Sequence, residues 1–337
     1  MSKKIFTLVA CLVVFTTLLS ACAPAATTVA PTSPAAATTA PAATKAAAKP
    51  YIPVISKGFQ HQFWQAVKQG SLNAAKDLNV DITFEGPDTE AMVDKQVEMV
   101  QTALDKKPAA ICLAALDTKA LIPLLEKAKA SNIPVIGFDS GVDSDIPVTT
   151  AATDNIAAAA LIADKMAALI GSAGDVAIIA HDQTSRTGID RVKGFTDQIK
   201  AKYPNIKIIS TQYGAGDQAK STDIAKAVIT ANPKIKGYFG ANEGSIIGVL
   251  NAVKELKMEG KIKVIGYDSG QQQMDAIRSG AEDGAVTQDP IGIGYKCVDA
   301  AVKALKGEKL PKTIDTGFHW YDKTNIDAAD IAPLLYK

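Results

Sequence analysis

Two carboxylates stand at equivalent positions in a stretch that occurs twice in the chain. Residues 135–141 read Val-Ile-Gly-Phe-Asp-Ser-Gly, and residues 264–270 read Val-Ile-Gly-Tyr-Asp-Ser-Gly. Each is an apolar, β-branched run typical of a buried parallel strand, and ligands of open α/β sheets bind beyond the carboxyl ends of such strands. We therefore predict that two similar lobes present Asp139 and Asp268 to one ligand. The alternative is that both are ordinary turn residues after a strand.

Enzymatic and metal chemistry have little support in the sequence. It contains no Gly-x-Ser-x-Gly elbow, Walker loop or HExxH motif, and its 3 histidines are scattered. His181 and Asp182 could form a base–carboxylate pair, but adjacent residues at a strand end seldom face one another. The formal net charge of +1 leaves no nucleic-acid footprint. We expect a protein without catalytic activity, cofactor or metal.

The elements that would position the two carboxylates alternate regularly after residue 50. A first series is predicted with strands at 51–56, 80–84, 109–114 and 133–138 and helices at 62–78, 91–106 and 118–130. After an extended piece at 146–150, a second series is predicted with helices at 156–170, 187–202, 218–231, 244–256, 271–279 and 292–306, strands at 175–180, 206–211, 235–240, 262–267 and 284–287, and a last extended segment at 314–321. This alternation predicts an α/β fold with two doubly wound parallel-sheet lobes around a cleft.

The N-terminal region has the composition of an export signal followed by a tether. Residues 1–21 combine two lysines, a short apolar run and small residues, as in a secretory signal, and Leu-Ser-Ala-Cys at 19–22 resembles a bacterial lipobox. We expect lipidation at Cys22, against the alternative of a plain secretory signal. Residues 22–50 are dominated by Ala, Pro and Thr and are predicted to be a disordered tether. For Cys112 and Cys297, buried free thiols are the default expectation, since spacing cannot decide whether they pair.

Several short motifs, in order and spacing, resemble one family. They are Ser-Lys-Gly at 56–58, Gln-Phe-Trp at 62–64, Phe-Asp-Ser at 138–140, Thr-Asp-Asn at 153–155, Ala-Asn-Glu at 241–243, Gly-Tyr-Asp at 266–268 and Thr-Gln-Asp-Pro at 287–290. Together they resemble the ribose- and galactose-type periplasmic sugar-binding proteins of bacterial ABC importers, fold type I, over about residues 51–337. The resemblance implies a hinge of three crossovers, near Thr153, Gln288 and Gly317. One lobe would hold 51–153 and 289–316, and the other 154–288 and 317–337.

The resemblance also implies roles for individual residues. Phe63 and Trp64 would face the sugar ring, with a helix-start core pair as the alternative. Asp139 and Asp268 would accept hydrogen bonds from sugar hydroxyls. Ser140, directly after Asp139, would also contact the ligand. Asn242, otherwise a helix-cap residue, and Gln288 would offer amides that both donate and accept.

The chain also departs from the ribose-type pattern. Ser140 replaces the arginine that follows the first-lobe aspartate, and Ala114 replaces a polar residue. An aromatic expected around 213–217 is displaced or missing. Arg186 and Arg191 compete for the arginine of the second lobe, and Arg186 is favoured because it lies in a loop at a strand end.

Two additions resemble another branch of the family. Lys57, at the first strand end, and His61, in a longer loop, resemble the branch that contains the autoinducer-2 receptor, in which a lysine helps to hold a furanose-type ligand. We therefore predict that both residues contact the ligand here, although an exposed lysine is the ordinary alternative.

The predicted function is capture of a small sugar (pentose or hexose) or polyol by an extracytoplasmic, membrane-anchored lipoprotein that acts as a monomer and delivers its ligand to an ABC permease. The alternative is a sensory role, with autoinducer-2-type signal binding or co-receptor action for a histidine kinase or chemoreceptor. A transcription-factor ligand domain shares the fold, but no helix-turn-helix precedes residue 51.

Overall fold

Two six-stranded sheets organise residues 48–336, the part of the chain that a computed structural model describes. The predicted signal at 1–21, the predicted lipidation site Cys22 and nearly all of the predicted tether lie outside these residues. Both sheets are covered by helices, and their strands run parallel with one exception. The predicted α/β fold with two doubly wound lobes is confirmed.

The first part of the chain builds the first sheet. Its elements are β1 (Tyr51–Ile55), α1 (Gln62–Leu78), β2 (Asp81–Glu85), α2 (Val93–Asp105), β3 (Ile111–Leu113), α3 (Ile122–Ala130), β4 (Val135–Phe138) and β5 (Thr149–Ala152). The chain then passes to the second sheet, close to the predicted crossover at Thr153.

The second lobe repeats the pattern. Its elements are α4 (Asn155–Ile170), β6 (Gly174–Ala180), α5 (Arg186–Lys202), β7 (Ile206–Tyr213), α6 (Gln218–Ala231), β8 (Gly237–Gly240), α7 (Glu243–Glu255), β9 (Lys263–Tyr267), α8 (Gln271–Ser279) and β10 (Gly284–Gln288). After them come α9 (Pro290–Leu305), which packs on the first sheet, then β11 (Thr313–Asp315), β12 (Phe318–Tyr321) and a short 3₁₀ turn at Ala332–Leu334.

The strand order is the same in both sheets. The first runs β2-β1-β3-β4-β5-β11 and the second β7-β6-β8-β9-β10-β12. The repeated sequence stretches are β4 and β9, which occupy the same place in their sheets. The two copies of the repeated sequence therefore form equivalent strands in the two sheets.

The last extended segment differs from the prediction of one continuous piece. Residues 314–321 divide into β11, which pairs in parallel with β5, and β12, which pairs antiparallel with β10 in the other sheet. Gly317, with φ 77°, lies between them in a backbone conformation that glycine adopts without strain. The break is thus a crossing between lobes.

Helices α1 and α9 pack against each other on the first sheet at backbone distance. A Cβ atom added to Gly70 would collide with the backbone of Ile291, and one added to Gly294 would collide with the Val67 carbonyl. Because glycine has no side chain, these two positions let the helices approach. α1 also carries Phe63 and Trp64, so this contact fixes the helix that enters the cleft.

Cys112 in β3 and Cys297 in α9 are joined by a disulfide, with Cα atoms 6.2 Å apart. The default expectation of two free thiols is therefore wrong. The pairing could not be deduced from spacing because the cysteines are 185 residues apart and meet only when α9 returns to the first sheet.

Candidate functional site

A partly open cavity lies between the lobes, at the carboxyl ends of the strands. It is lined by Lys57, His61, Phe63, Trp64, Glu90, Asp139, His181, Arg191, Asn242, Asp268 and Gln288. The structure thus brings together all the predicted ligand residues except Ser140 and Arg186. Glu90 and His181 were not predicted as ligand residues.

Asp139 and Asp268 have the same unusual backbone. Their φ angles are 54° and 82°, a left-handed region that residues other than glycine seldom adopt, and both residues are buried. Aspartate tolerates this region better than most residues, but the conformation still costs energy. Each lobe therefore uses a strained turn to aim a carboxylate at the cavity.

Lys57 is the cationic neighbour of Asp139. Its Nζ lies 3.7 Å from Asp139 Oδ2 and donates a 2.9 Å hydrogen bond to Thr187 Oγ1 of the other lobe. Burial raises the pKa of Asp139 to about 6, although Lys57 and Arg191 act in the opposite direction. Burial also opposes the charge of Lys57, but Glu90 and Asp139 outweigh it and raise the lysine pKa. At neutral pH the pair is therefore ionised, with a carboxylate that readily takes up a proton on acidification.

Asp268 is held on both oxygens by its own lobe. Oδ1 accepts from Gln288 Nε2 (2.7 Å), and Oδ2 accepts from the backbone N–H of Glu243 (2.9 Å). Arg191 Nη1 lies 3.9 Å from Oδ2. These contacts fix the carboxylate and its charge in one orientation.

The structure places Arg191, rather than Arg186, in the cavity. Arg191 is 3% exposed, lies over the Tyr267 ring at 3.6 Å from its centroid, and donates to Asn155 Oδ1 (2.8 Å). Arg186 forms exposed ion pairs with Asp143 and Asp190 instead. The choice of Arg186 rested on its loop position, but one further turn into α5 brings Arg191 round to the cleft.

The aromatic wall is made by neighbouring residues at the start of α1. Phe63 and Trp64 are buried, with ring centroids 5.0 Å apart and an edge-to-face arrangement. Trp64 Nε1 donates to Glu90 Oε1 (2.7 Å). Burial would raise the pKa of Glu90, but Lys57, His61 and His181 lower it to about 2. Glu90 lies just before α2 in a polar loop, and no pattern in the sequence distinguishes it.

His181 contacts Thr187 and Asp182, which tests the enzymatic alternative. His181 Nε2 lies 3.0 Å from Thr187 Oγ1 and 3.8 Å from Asp182 Oδ2, and the second distance is too long for a hydrogen bond. One ring nitrogen makes both contacts, whereas a hydroxyl–imidazole–carboxylate relay uses two. Burial lowers the pKa of His181 to about 4, so the ring is neutral at pH 7.

Several buried polar atoms around the cavity have no hydrogen-bond partner within residues 48–336. They are His61 Nδ1, Glu90 Oε2, Asp139 Oδ2, His181 Nδ1 and Gln288 Oε1. Ser140 is also buried and its Oγ is unpaired, but it does not line the cavity. Because an unsatisfied buried polar atom costs about 1–3 kcal/mol, this arrangement suits a ligand rich in hydroxyls.

Asn242 makes two side-chain contacts. Its Oδ1 accepts from the backbone N–H of Ser245 and so caps α7, which was the alternative to a ligand role, and its Nδ2 lies 3.4 Å from His61 Nε2. The residue thus links the second lobe to the loop of the first at the edge of the cavity.

Two further properties apply only to the described part of the chain. None of its helices is long and apolar enough to cross a membrane. It also holds no group of three or more His, Cys, Asp or Glu side chains arranged to bind a metal ion.

Comparisons with known proteins agree with this geometry. A family profile described as periplasmic binding protein domain matches residues 52–309. The D-allose-binding periplasmic protein of Escherichia coli is 28% identical over 79% of this chain and 88% of its own length. A carbohydrate transporter solute-binding protein of Agrobacterium radiobacter, solved with D-arabinose, is 36% identical with a TM-score of 0.83, covering 86% of this chain and 99% of its own. An ABC transporter solute-binding protein of Agrobacterium vitis, solved with D-fucose, is also 36% identical with a TM-score of 0.83, covering 85% of this chain and 100% of its own.

Proposed function

Because this chain belongs to the periplasmic binding protein domain family, we propose that it captures a small sugar or polyol between its lobes and delivers it to the permease of an ABC importer. The family implies an extracytoplasmic location. The reported relatives are binding proteins, and we propose the same non-catalytic role here.

The strongest support is the set of unpaired polar atoms that converge from both lobes beside an aromatic wall. Asp139 Oδ2 and Glu90 Oε2 can accept from sugar hydroxyls, and Gln288 Oε1 can accept from a third. Trp64 and Phe63 offer an apolar surface suited to the C–H face of a sugar ring.

Calorimetry and thermal unfolding with D-arabinose, D-fucose, D-ribose, D-allose, inositols and autoinducer-2 test this proposal. A true ligand at 100 times its Kd stabilises the folded protein by about 2.7 kcal/mol. Asp139→Asn, which keeps the volume and tolerates the backbone, should abolish most of that shift. The proposal fails if no sugar or polyol binds and if mass spectrometry detects none released from the denatured protein.

The position of Lys57 supports a second candidate ligand. The lysine lines the cavity, as expected from the resemblance to the autoinducer-2 branch. Preferential binding of autoinducer-2 over every sugar in the panel would favour the signalling role.

We further propose that Cys22 carries a lipid anchor and that the protein acts as a monomer. The support for the anchor is the sequence around residues 19–22 and the Ala/Pro/Thr-rich tether that follows. Metabolic labelling with a palmitate analogue should mark the wild-type chain but not Cys22→Ala, and light scattering of the purified protein should give the monomer mass.

A further inference from the structure

Two helices that meet across the cleft lack side-chain caps of their own. α1 begins after His61 and α8 after Gly270, and neither preceding residue makes a side-chain cap hydrogen bond. Five other helices are capped by the residue directly before them, Asp154, Ser185, Asp217, Asn242 and Asp289, whereas α2 and α3 also lack such a cap. The first N–H groups of an α-helix need partners from elsewhere.

The cap of α1 comes from the opposite lobe. Glu243, the first residue of α7, is 4% exposed and uses both carboxylate oxygens. Oε1 accepts from the backbone N–H of Gln62 (3.0 Å), and Oε2 accepts from that of Phe63 (3.1 Å). An anion at a helix N-terminus is favourable because it meets both the free N–H groups and the positive end of the helix dipole. These bonds can exist only when the lobes are closed.

The cap of α8 crosses the same boundary in the other direction. Gln62 Oε1, from the first lobe, accepts from the backbone N–H of Gln271 at 2.7 Å. A Cβ atom added to Gly270 would lie 2.9 Å from Gln62 Oε1 and 3.1 Å from Glu243 Oε1. Glycine at 270 therefore leaves room for both capping side chains, and each lobe caps a helix of the other.

The capping pair is connected to the ligand cavity on both sides but does not line it. The backbone N–H of Glu243 donates to Asp268 Oδ2 (2.9 Å), and the helix that its carboxylate caps carries Phe63 and Trp64 in its first turn. We propose that Glu243 and Gln62 are positioning residues that form a reciprocal latch, which stabilises the closed form and holds Asp268 and the aromatic pair in register around the ligand. The expected effect of the latch on ligand affinity rests on the proposed function of ligand capture.

The latch is tested by Glu243→Gln and Gln62→Ala, with Asp283→Asn as the matched control. Asp283 also accepts a backbone N–H, that of Val264 at 2.9 Å, but within one lobe. Because apparent affinity scales with the population of the competent form, the latch variants should bind D-arabinose and D-fucose about tenfold more weakly, mainly through faster dissociation. The ratio of the two affinities should stay within about twofold, since neither residue lines the cavity. Asp283→Asn should bind like the wild type.

Unchanged affinities, or a changed ratio between the two sugars, would overturn the latch. Gln62→Ala keeps the test decisive if Glu243→Gln fails to fold, because Gln62 is only half-buried.

If neither sugar binds the wild type, the proposal of sugar binding loses support, but the latch can still be tested without a ligand. Hydrogen exchange at the amides of Gln62 and Phe63 should then be slower in the wild type than in Glu243→Gln, and small-angle scattering should show a more compact wild type. Identical exchange and scattering would refute the latch on their own.

Discussion

At the residue scale, the two equivalent aspartates do different work. Both oxygens of Asp268 are bonded by the protein, whereas Asp139 Oδ2 has no hydrogen-bond partner in residues 48–336 and faces Lys57 at 3.7 Å. Asp139 therefore has the greater capacity to accept from a ligand hydroxyl. Burial, which raises its pKa to about 6, makes that capacity dependent on pH.

Ligand affinity should fall as the pH drops through about 6. Above about pH 6 Asp139 is ionised and accepts a hydrogen bond from the ligand, which stabilises the charged carboxylate. Below about pH 6 the carboxyl group is protonated, so a proton must be removed before the ligand binds. The loss should approach tenfold per pH unit for one group. His181, with a pKa of about 4, and Glu90, at about 2, keep their charge states between pH 5 and 7.5. Calorimetry across that range measures the effect.

Asp139→Asn is the control for this pH dependence. It should bind more weakly at pH 7.5 and depend less on pH between 5 and 7.5 than the wild type does. A flat profile for the wild type, or tighter binding at pH 5, would contradict the assignment of Asp139 as the acceptor.

The two arginines give a matched comparison. Arg191→Lys should weaken ligand binding by at least tenfold, because lysine cannot reproduce the planar stack on Tyr267 together with the bond to Asn155. Arg186→Lys should change affinity by less than about twofold, since exposed ion pairs contribute about 0–1 kcal/mol. Titration of both variants with the same sugar distinguishes them, and a larger effect at Arg186 would contradict the cavity geometry.

At the scale of elements, most helix limits followed from the sequence. The predicted helix at 62–78 coincides with α1, because its apolar positions recur at helical spacing. The strand ends carrying Asp139 and Asp268 were also predicted, since each apolar run stops at a polar turn. The glycine contact between α1 and α9 was not, because a glycine within a helix has several possible roles.

Gly70→Ala and Gly294→Ala should each destabilise the first lobe. Alanine is a better helix former than glycine by about 1 kcal/mol, but the added methyl would collide with backbone atoms that cannot move aside independently. A net loss of about 1–3 kcal/mol in the free energy of unfolding is expected from overpacking. Urea unfolding measures it, with Gly141→Ala as the control because its added Cβ approaches only Thr150, at 3.8 Å. An increase in the free energy of unfolding of either variant would show that α1 and α9 are not closely packed at these glycines.

At the scale of the whole molecule, the disulfide joins segments that are far apart in the chain. Cys112 and Cys297 close a loop of 185 residues and are both buried. Disulfides persist in oxidising compartments, which agrees with the extracytoplasmic location of the family.

Replacing both cysteines by serine should lower the free energy of unfolding by roughly 2–5 kcal/mol, because the cross-link restricts the unfolded chain. Denaturant unfolding with and without a reductant measures this loss. The reductant should weaken the wild type and leave Cys112→Ser/Cys297→Ser unchanged. Equal sensitivity of both proteins would argue against the pairing.

The sequence alone determined the class of fold and most of the cavity. Strand and helix periodicity is local, so the βα alternation could be predicted from neighbouring residues, and the repeated strand ends indicated a duplicated lobe. The resemblance to a family supplied the predicted ligand roles of Lys57, His61 and Gln288.

Only the tertiary structure decided the remainder, because it depends on contacts between distant residues. The helical phase of α5 brings Arg191, and not Arg186, to the cavity, and the packing of the lobes brings Glu90 beside Trp64. The return of α9 to the first sheet pairs Cys112 with Cys297. Closure of the lobes places Glu243 on α1 and Gln62 on α8. None of these pairs has a signature within one stretch of sequence.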